Sequence, residues 1–197
     1  METPSPAYLR RLEDIVDTAA VVFRRDGYDA GSLDDVAEEL DLRKASLYHY
    51  VDSKAHLLYL IFDRAISLAL ERLAELSQLT APDERLEALI VHQIEVLSEE
   101  PSLFTVFFDS RPRLADEFES AILAKERRYL RYYAEAVSDG VKAGVLPPVE
   151  PRYAAQAILG MTSWIYKWIG DGDDVVAITR DFVQLILRRE PTALPAS

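Results

Sequence analysis

Apolar residues recur at intervals of three and four along most of the chain, the spacing of helices that each bury one face. β-Branched residues are scattered and no Asn-Gly or Asp-Gly pair joins two alternating runs, so the pattern predicts an all-α fold of about nine helices. A first helix runs from about Tyr8 to Arg25, with Leu12, Ile15, Val16, Ala19, Val22 and Phe23 on one stripe and Gly27 as its stop. Ser32, with Asp35 three residues on, suits the N-cap of a short second helix whose apolar side is Leu33, Val36, Ala37 and Leu40. A third helix is expected over 45–51, with Leu47 facing in and Ser46, His49 and Tyr50 facing out. Asp52 and Ser53 offer a cap for a long fourth helix from Lys54 to Leu76. Pro82 and Pro101 open the next two, and Pro112 divides the Phe-rich stretch 103–108 from a long helix over about 114–143 that stops near Gly144. Two more helices, about 151–169 and 174–189, flank a turn at 170–173, and a flexible tail is expected over 191–197.

Composition narrows the class. With 197 residues, 49% hydrophobic and 28% charged, the chain is long enough for one buried core and a small extra module. The absence of cysteine removes disulfides and thiolate metal sites. No basic-then-apolar leader opens the sequence and no run reaches the ~18 apolar residues of a membrane span, so a cytoplasmic protein is expected. The net charge of −12 repels a polyanion at long range. Screening within about 8 Å at physiological salt nevertheless leaves room for a local basic face, so where the cations sit matters more than the sum.

Three of them, Arg43, Lys44 and Lys54, fall in residues 32–54. Two short helices joined by about four residues bury little core of their own and require bracing, the arrangement of a helix-turn-helix whose second helix enters the major groove. Arg43 and Lys44 fall at the start of that second helix, where side chains reach base edges and the helix dipole favours phosphate. Catalysis finds no comparable pattern: His49, His56 and His92 have no metal-ligand spacing, and no nucleophile elbow, Walker loop or dinucleotide motif is present. Neither a catalytic residue, a metal nor a cofactor is therefore assigned. His92 and Glu95 share a helical face but lack partners for a metal site, and Gly170 to Asp174 has the wrong spacing for calcium.

These segments resemble the TetR family of transcriptional regulators. The resemblance rests on Phe23-Arg24-Arg25-Asp26-Gly27-Tyr28, on Ser32-Leu33-Asp34-Asp35-Val36-Ala37 and above all on Ser46-Leu47-Tyr48-His49-Tyr50-Val51-Asp52-Ser53-Lys54, about 50 residues in all. It implies a DNA-binding domain over 1–53, a ligand-binding and dimerisation domain over 54–190, a homodimer, a double-stranded operator, and release of DNA by an effector. Carried over residue by residue, Ser32 resembles the hydroxyl that caps the second helix and meets phosphate, Tyr48 the aromatic laid along the backbone, and Lys54 the basic residue that holds phosphate. His49 and Tyr50 stand where relatives carry a Tyr-His or His-His pair, and Ser46 completes the expected DNA-facing set with Arg43 and Lys44. Asp34 departs from the pattern by putting an acid near phosphate, and Asp41 stands where a glycine usually makes the turn. Asp tolerates the left-handed conformation, so the turn is expected to survive with weaker, salt-sensitive binding.

The second part is rich in rings. Phe104, Phe107, Phe108, Tyr133, Trp164 and Trp168 are read as the lining of an apolar pocket between helices, with Arg128 beside them. Through the segments 107–111, 125–129 and 160–168 this half resembles regulators of lipid and steroid breakdown, which implies an acyl-coenzyme A effector. Lys125, Arg128 and Arg131 lie within two turns and suit its phosphates, or they pair with Glu126 and Glu135 on a solvated face. Ala154, Ala155, Ala157, Ile158, Phe182, Leu185 and Ile186 give the last two helices more apolar face than one core needs, as a dimer interface would. The alternatives are a helical lipid or small-molecule carrier and a helical enzyme, neither with a DNA role.

Overall fold

The computed structural model describes residues 5–170 and 172–188, so the tail over 191–197 lies outside the described residues. Among these the fold is all-α, with α1 (Pro6–Asp26), α2 (Leu33–Glu39), α3 (Lys44–Leu47), α4 (Lys54–Leu70), α5 (Leu73–Leu76), α6 (Pro82–Glu99), α7 (Pro101–Asp109), α8 (Asp116–Lys142), α9 (Pro151–Ser163) and α10 (Val175–Leu187). Short 3-10 turns follow α7 at Arg111–Arg113 and α9 at Trp164–Lys167. No helix among the described residues is long and apolar enough to cross a membrane.

The chain forms two compact units. One runs to Ala65 and takes in Ser102–Ile122; the other holds Ile66–Pro101 and continues from Leu123. In the first, α1 buries Ile15, Val16, Ala19, Val22 and Phe23 of the stripe read from the sequence, together with Ala20, while Leu12 is half-buried. Ser5 accepts the Tyr8 N–H at its start, and Gly27 ends it at φ 81°, a conformation that favours glycine. Arg64 joins α4 to α1 through Nη2 and Asp17 Oδ2 at 3.3 Å, and burial outweighs that cation in raising the Asp17 pKa. In the same unit Phe62 packs on Phe107 with ring centres 4.9 Å apart.

The second unit is built around α6, which buries Leu86, Leu89, Ile90, Ile94 and Leu97. A polar network crosses its interior. The Tyr129 hydroxyl donates to Gln93 Oε1, Gln93 Nε2 donates to Ser163 Oγ at 2.8 Å, and Tyr133 donates to the Leu89 carbonyl at 2.5 Å. Burial pushes both tyrosines' pKa values up, which keeps the phenols protonated as donors.

Three expected helices are shorter than their apolar pattern. The third stops at Leu47, after which His49 N–H to Ser46 O and Tyr50 N–H to Leu47 O close a tighter turn. Three consecutive ring-bearing residues are poor at extending a helix of one turn, and i→i+3 bonds satisfy the loose groups instead. The fourth breaks before Leu73, a break that nothing in its side chains explains. The helix over 151–169 becomes a 3-10 turn at Trp164, where the Thr162 hydroxyl bonds back to the Ile158 carbonyl at 2.9 Å, a contact that bends helices.

Candidate nucleic-acid interface

Local signals build the region from residue 32 to 54. Ser32 Oγ accepts the Asp35 N–H at 3.2 Å, and Asp35 Oδ2 accepts the Ser32 N–H at 2.7 Å, a reciprocal cap that closes the first turn of α2. Hydrogen bonds from the Ser32 hydroxyl and backbone hold the Asp35 carboxyl below the ordinary aspartate range. Asp41 adopts φ 50°, so the residue in the glycine's place makes the left-handed turn. The Leu42 N–H then reaches the Ala37 carbonyl at 2.8 Å. Leu47, fully buried, anchors the one-turn helix α3 against the body of its unit.

The expected DNA-facing residues divide by environment. Arg43 is the exposed N-cap of α3, and its own side chain makes no capping bond. Lys44 Nζ lies 2.8 Å from Asp34 Oδ2, and that hydrogen bond raises the pKa of the amine. Tyr48 and His49 are exposed and Ser46 is half-buried. Tyr50, expected to face out, is half-buried and stacks on Tyr8 with ring centres 4.8 Å apart and planes 24° apart, so its ring braces the start of α1. At the start of α4, Ser53 Oγ accepts the His56 N–H at 3.0 Å. Lys54 beside it donates to the Asp29 carbonyl at 3.2 Å and lies 4.4 Å over the Tyr28 ring.

Sequence reasoning missed the support of that lysine. Arg113 grips Asp29 with Nε to Oδ1 at 2.9 Å and Nη2 to Oδ2 at 2.6 Å. These hydrogen bonds lower the Asp29 pKa. The partners are 84 residues apart, beyond the reach of any helical spacing rule.

The aromatic set expected to line one pocket divides between the two units. Phe104 and Phe107 are buried and Phe108 half-buried in the first unit, with Phe107 and Phe108 edge to face at 5.2 Å. Tyr133, Trp164 and Trp168 belong to the second unit, where Tyr133 is wholly buried in the polar network. Trp164 is 60% and Trp168 47% exposed, so the single chain turns both tryptophans to water rather than into a pocket. Arg128 is exposed and lies 5.9 Å over the Tyr132 ring. A cavity of about 430 Å³ in the second unit is lined by Arg72, Leu76, Val91, His92 and Glu95 with Glu84 and Glu87. Burial there raises the Glu95 pKa and lowers that of His92, whose Nε2 lies 3.1 Å from the Ala69 carbonyl.

A capped short helix, a left-handed turn and a second short helix with an exposed arginine at its start, braced by longer helices, define a helix-turn-helix protein. Residues 15–59 match the model for bacterial regulatory proteins of the tetR family, and residues 79–189 match the model for the tetracyclin repressor-like C-terminal domain. The chain belongs to the TetR family, whose members are ligand-responsive, DNA-binding transcriptional regulators. The HTH-type transcriptional repressor KstR2 of Mycobacterium tuberculosis is 21% identical over 182 residues, which are 90% of this chain and 91% of that one. AibR in complex with isovaleryl coenzyme A and operator DNA superposes with a TM-score of 0.83 at 29% identity, over 90% of this chain and 98% of AibR. The regulator PfmR of Thermus thermophilus gives 0.83 at 27% identity, over 91% and 99% of the two chains.

Proposed function

We propose that the chain is a homodimeric repressor of the cytoplasm, without catalytic activity, that holds an operator through residues 32–54 and leaves it when an acyl-coenzyme A thioester binds. The observation that carries the DNA half is the turn geometry. The reciprocal cap at Ser32 and the left-handed Asp41 orient α3 so that Arg43 starts it in the open, with Tyr48 and His49 exposed just beyond. Arg43 and Lys44 read bases, while Ser32, Ser46, Tyr48, His49, the Tyr50 hydroxyl and Lys54 meet phosphate. Lys44 must first leave Asp34, which supports the weak, salt-sensitive binding expected from an acid at that position.

The likeness to AibR, which was solved with isovaleryl coenzyme A and operator DNA, supports a thioester effector. Glu84, Glu87 and Glu95 make the 430 Å³ cavity a poor host for the polyanionic head of such a molecule. Exposed cations on α8, Arg128 and Arg131 among them, suit its phosphates better. Of the expected rings, Tyr133 shares the second unit with those cations and is the candidate to meet the acyl chain. Trp164 and Trp168, in and just after the 3-10 turn that follows α9, are proposed for the dimer face together with Tyr153 of α9 at 67% and Leu185 of α10 at 68% exposure, because rings and aliphatic groups this open suit a covering second copy.

The test is titration of the protein–operator complex with coenzyme A thioesters of several acyl lengths alongside the free acids. Release by the thioesters alone is expected. Equal release by free acids, or release by none, contradicts the thioester.

A further inference from the structure

We infer that Arg113, outside the helix-turn-helix, is a positioning residue for the phosphate contact of Lys54. The inference rests on the DNA-binding reading above. The Lys54 amine is held by the Asp29 carbonyl at 3.2 Å and by the Tyr28 ring at 4.4 Å, so its place depends on the loop between α1 and α2. That loop turns at Gly27, with φ 81°, and again at Gly31, where a Cβ would come within 2.9 Å of Phe23 Cδ1. A groove of about 530 Å³, lined by Tyr28 and Ala30 from the loop and by Thr105 of α7 and Ser110 just after it, runs beside it. Across that groove reaches the two-toothed grip of Arg113 on Asp29, at 2.9 and 2.6 Å.

Arg113 is fixed at its own end. It closes the 3-10 turn Arg111–Arg113 with its N–H on the Ser110 carbonyl at 2.8 Å, and Pro112 presets the turn's φ. The guanidinium plane matches both carboxylate oxygens at once, a fit that a lysine ammonium does not reproduce. The arginine lies within residues 79–189, which match the C-terminal domain model, yet it shares a compact unit with the reader. A displacement of this 3-10 turn is therefore passed to the Asp29 carbonyl and on to Lys54.

Simple charge offers a rival explanation, and the sign of one substitution separates the two. Removing the Asp29 carboxylate near DNA strengthens binding if only net charge matters, and weakens it if the carboxylate positions the loop. The experiment measures binding of the full-length dimer to a selected operator duplex, by anisotropy at several salt concentrations, for Asp29→Ala, Arg113→Ala, Arg113→Lys and each of these combined with Lys54→Ala. Asp29→Ala, Arg113→Ala and Arg113→Lys are expected to lose about fivefold in affinity each, and none of them to lose more once Lys54 is gone. A second readout needs no DNA: competitive acetylation of lysines, read by mass spectrometry, is expected to label Lys54 faster in Asp29→Ala and Arg113→Ala than in the native chain. Unchanged or tighter binding by Asp29→Ala, a full loss for Arg113→Ala in the Lys54→Ala background, or unaltered Lys54 labelling overturns the inference. A native chain that binds no duplex, with Lys54 labelling still sensitive to Arg113, contradicts the DNA-binding reading and the DNA role of the grip while leaving its geometry standing.

Discussion

Between residues 32 and 54, groups near the surface set the backbone: a reciprocal cap at Ser32, a left-handed Asp41, and a lysine laid over a tyrosine ring. The unit around α6 works differently. There Gln93, Tyr129, Tyr133 and Ser163 exchange hydrogen bonds in a largely buried interior, where an unmet donor or acceptor is costly. The contrast teaches where each part is able to yield. Exposed groups exchange their partners for water or phosphate at small cost, so the reader adapts to DNA, whereas a buried network changes partners as a group or not at all.

The largest effect is expected at Leu47, the buried anchor of α3. Leu47→Ala, at a fully buried side chain, should cost about 2–5 kcal/mol in denaturant unfolding and loosen α3. A cost near zero would mean that Leu47 does not anchor α3. Next comes Gln93→Leu, which removes the acceptor of the buried Tyr129 hydroxyl and should cost about 1–3 kcal/mol. Adding Tyr129→Phe should recover part of that loss, and strictly additive costs would show that the network is not a unit.

Ser32→Ala is expected to cost about 1 kcal/mol through removal of the cap. The pH dependence carries a sign. Because the Asp35 pKa is lowered from its ordinary value of 3.8, its bonds stabilise the folded state above that value and are lost as pH falls through the lower, folded one. The gap in melting temperature between the native chain and Ser32→Ala should therefore hold at neutral pH and narrow in acid. A gap that widens in acid contradicts the cap. The smallest effect belongs to Asp41→Gly, which relieves the positive φ but adds freedom to the unfolded chain, for a net change within about 1 kcal/mol.

The same contrast explains what the sequence disclosed. Ser32 with Asp35, Gly27 after a periodic run and Asp41 in a glycine's place act on neighbours within a few residues, so spacing alone exposes them. Helix ends at Leu47 and Ser163 were illegible, because tight-turn hydrogen bonding cut short an apolar pattern that continues. Tyr50 stands where relatives carry a histidine, and its ring turns to Tyr8, a partner 42 residues away that no motif encodes. The rings of the second half were legible as rings but not as inward or outward. Tyr133 and Trp164 are both large rings with one polar hydrogen, and the fold leaves one wholly buried and the other 60% exposed.

Residues 32–54 hold three cations, Arg43, Lys44 and Lys54, among six acids, so the salt dependence of duplex binding decides whether those cations meet DNA. Affinity for a duplex recovered by genomic selection should be measured from low to physiological salt for the native dimer and for the Arg43→Ala, Lys44→Ala, Lys54→Ala triple variant. The logarithm of native affinity is expected to fall linearly with the logarithm of salt concentration, and the triple variant to bind weakly with a slope shallower by roughly one for each phosphate it no longer neutralises. Equal affinity and equal slope in the two proteins would contradict a DNA contact by these cations.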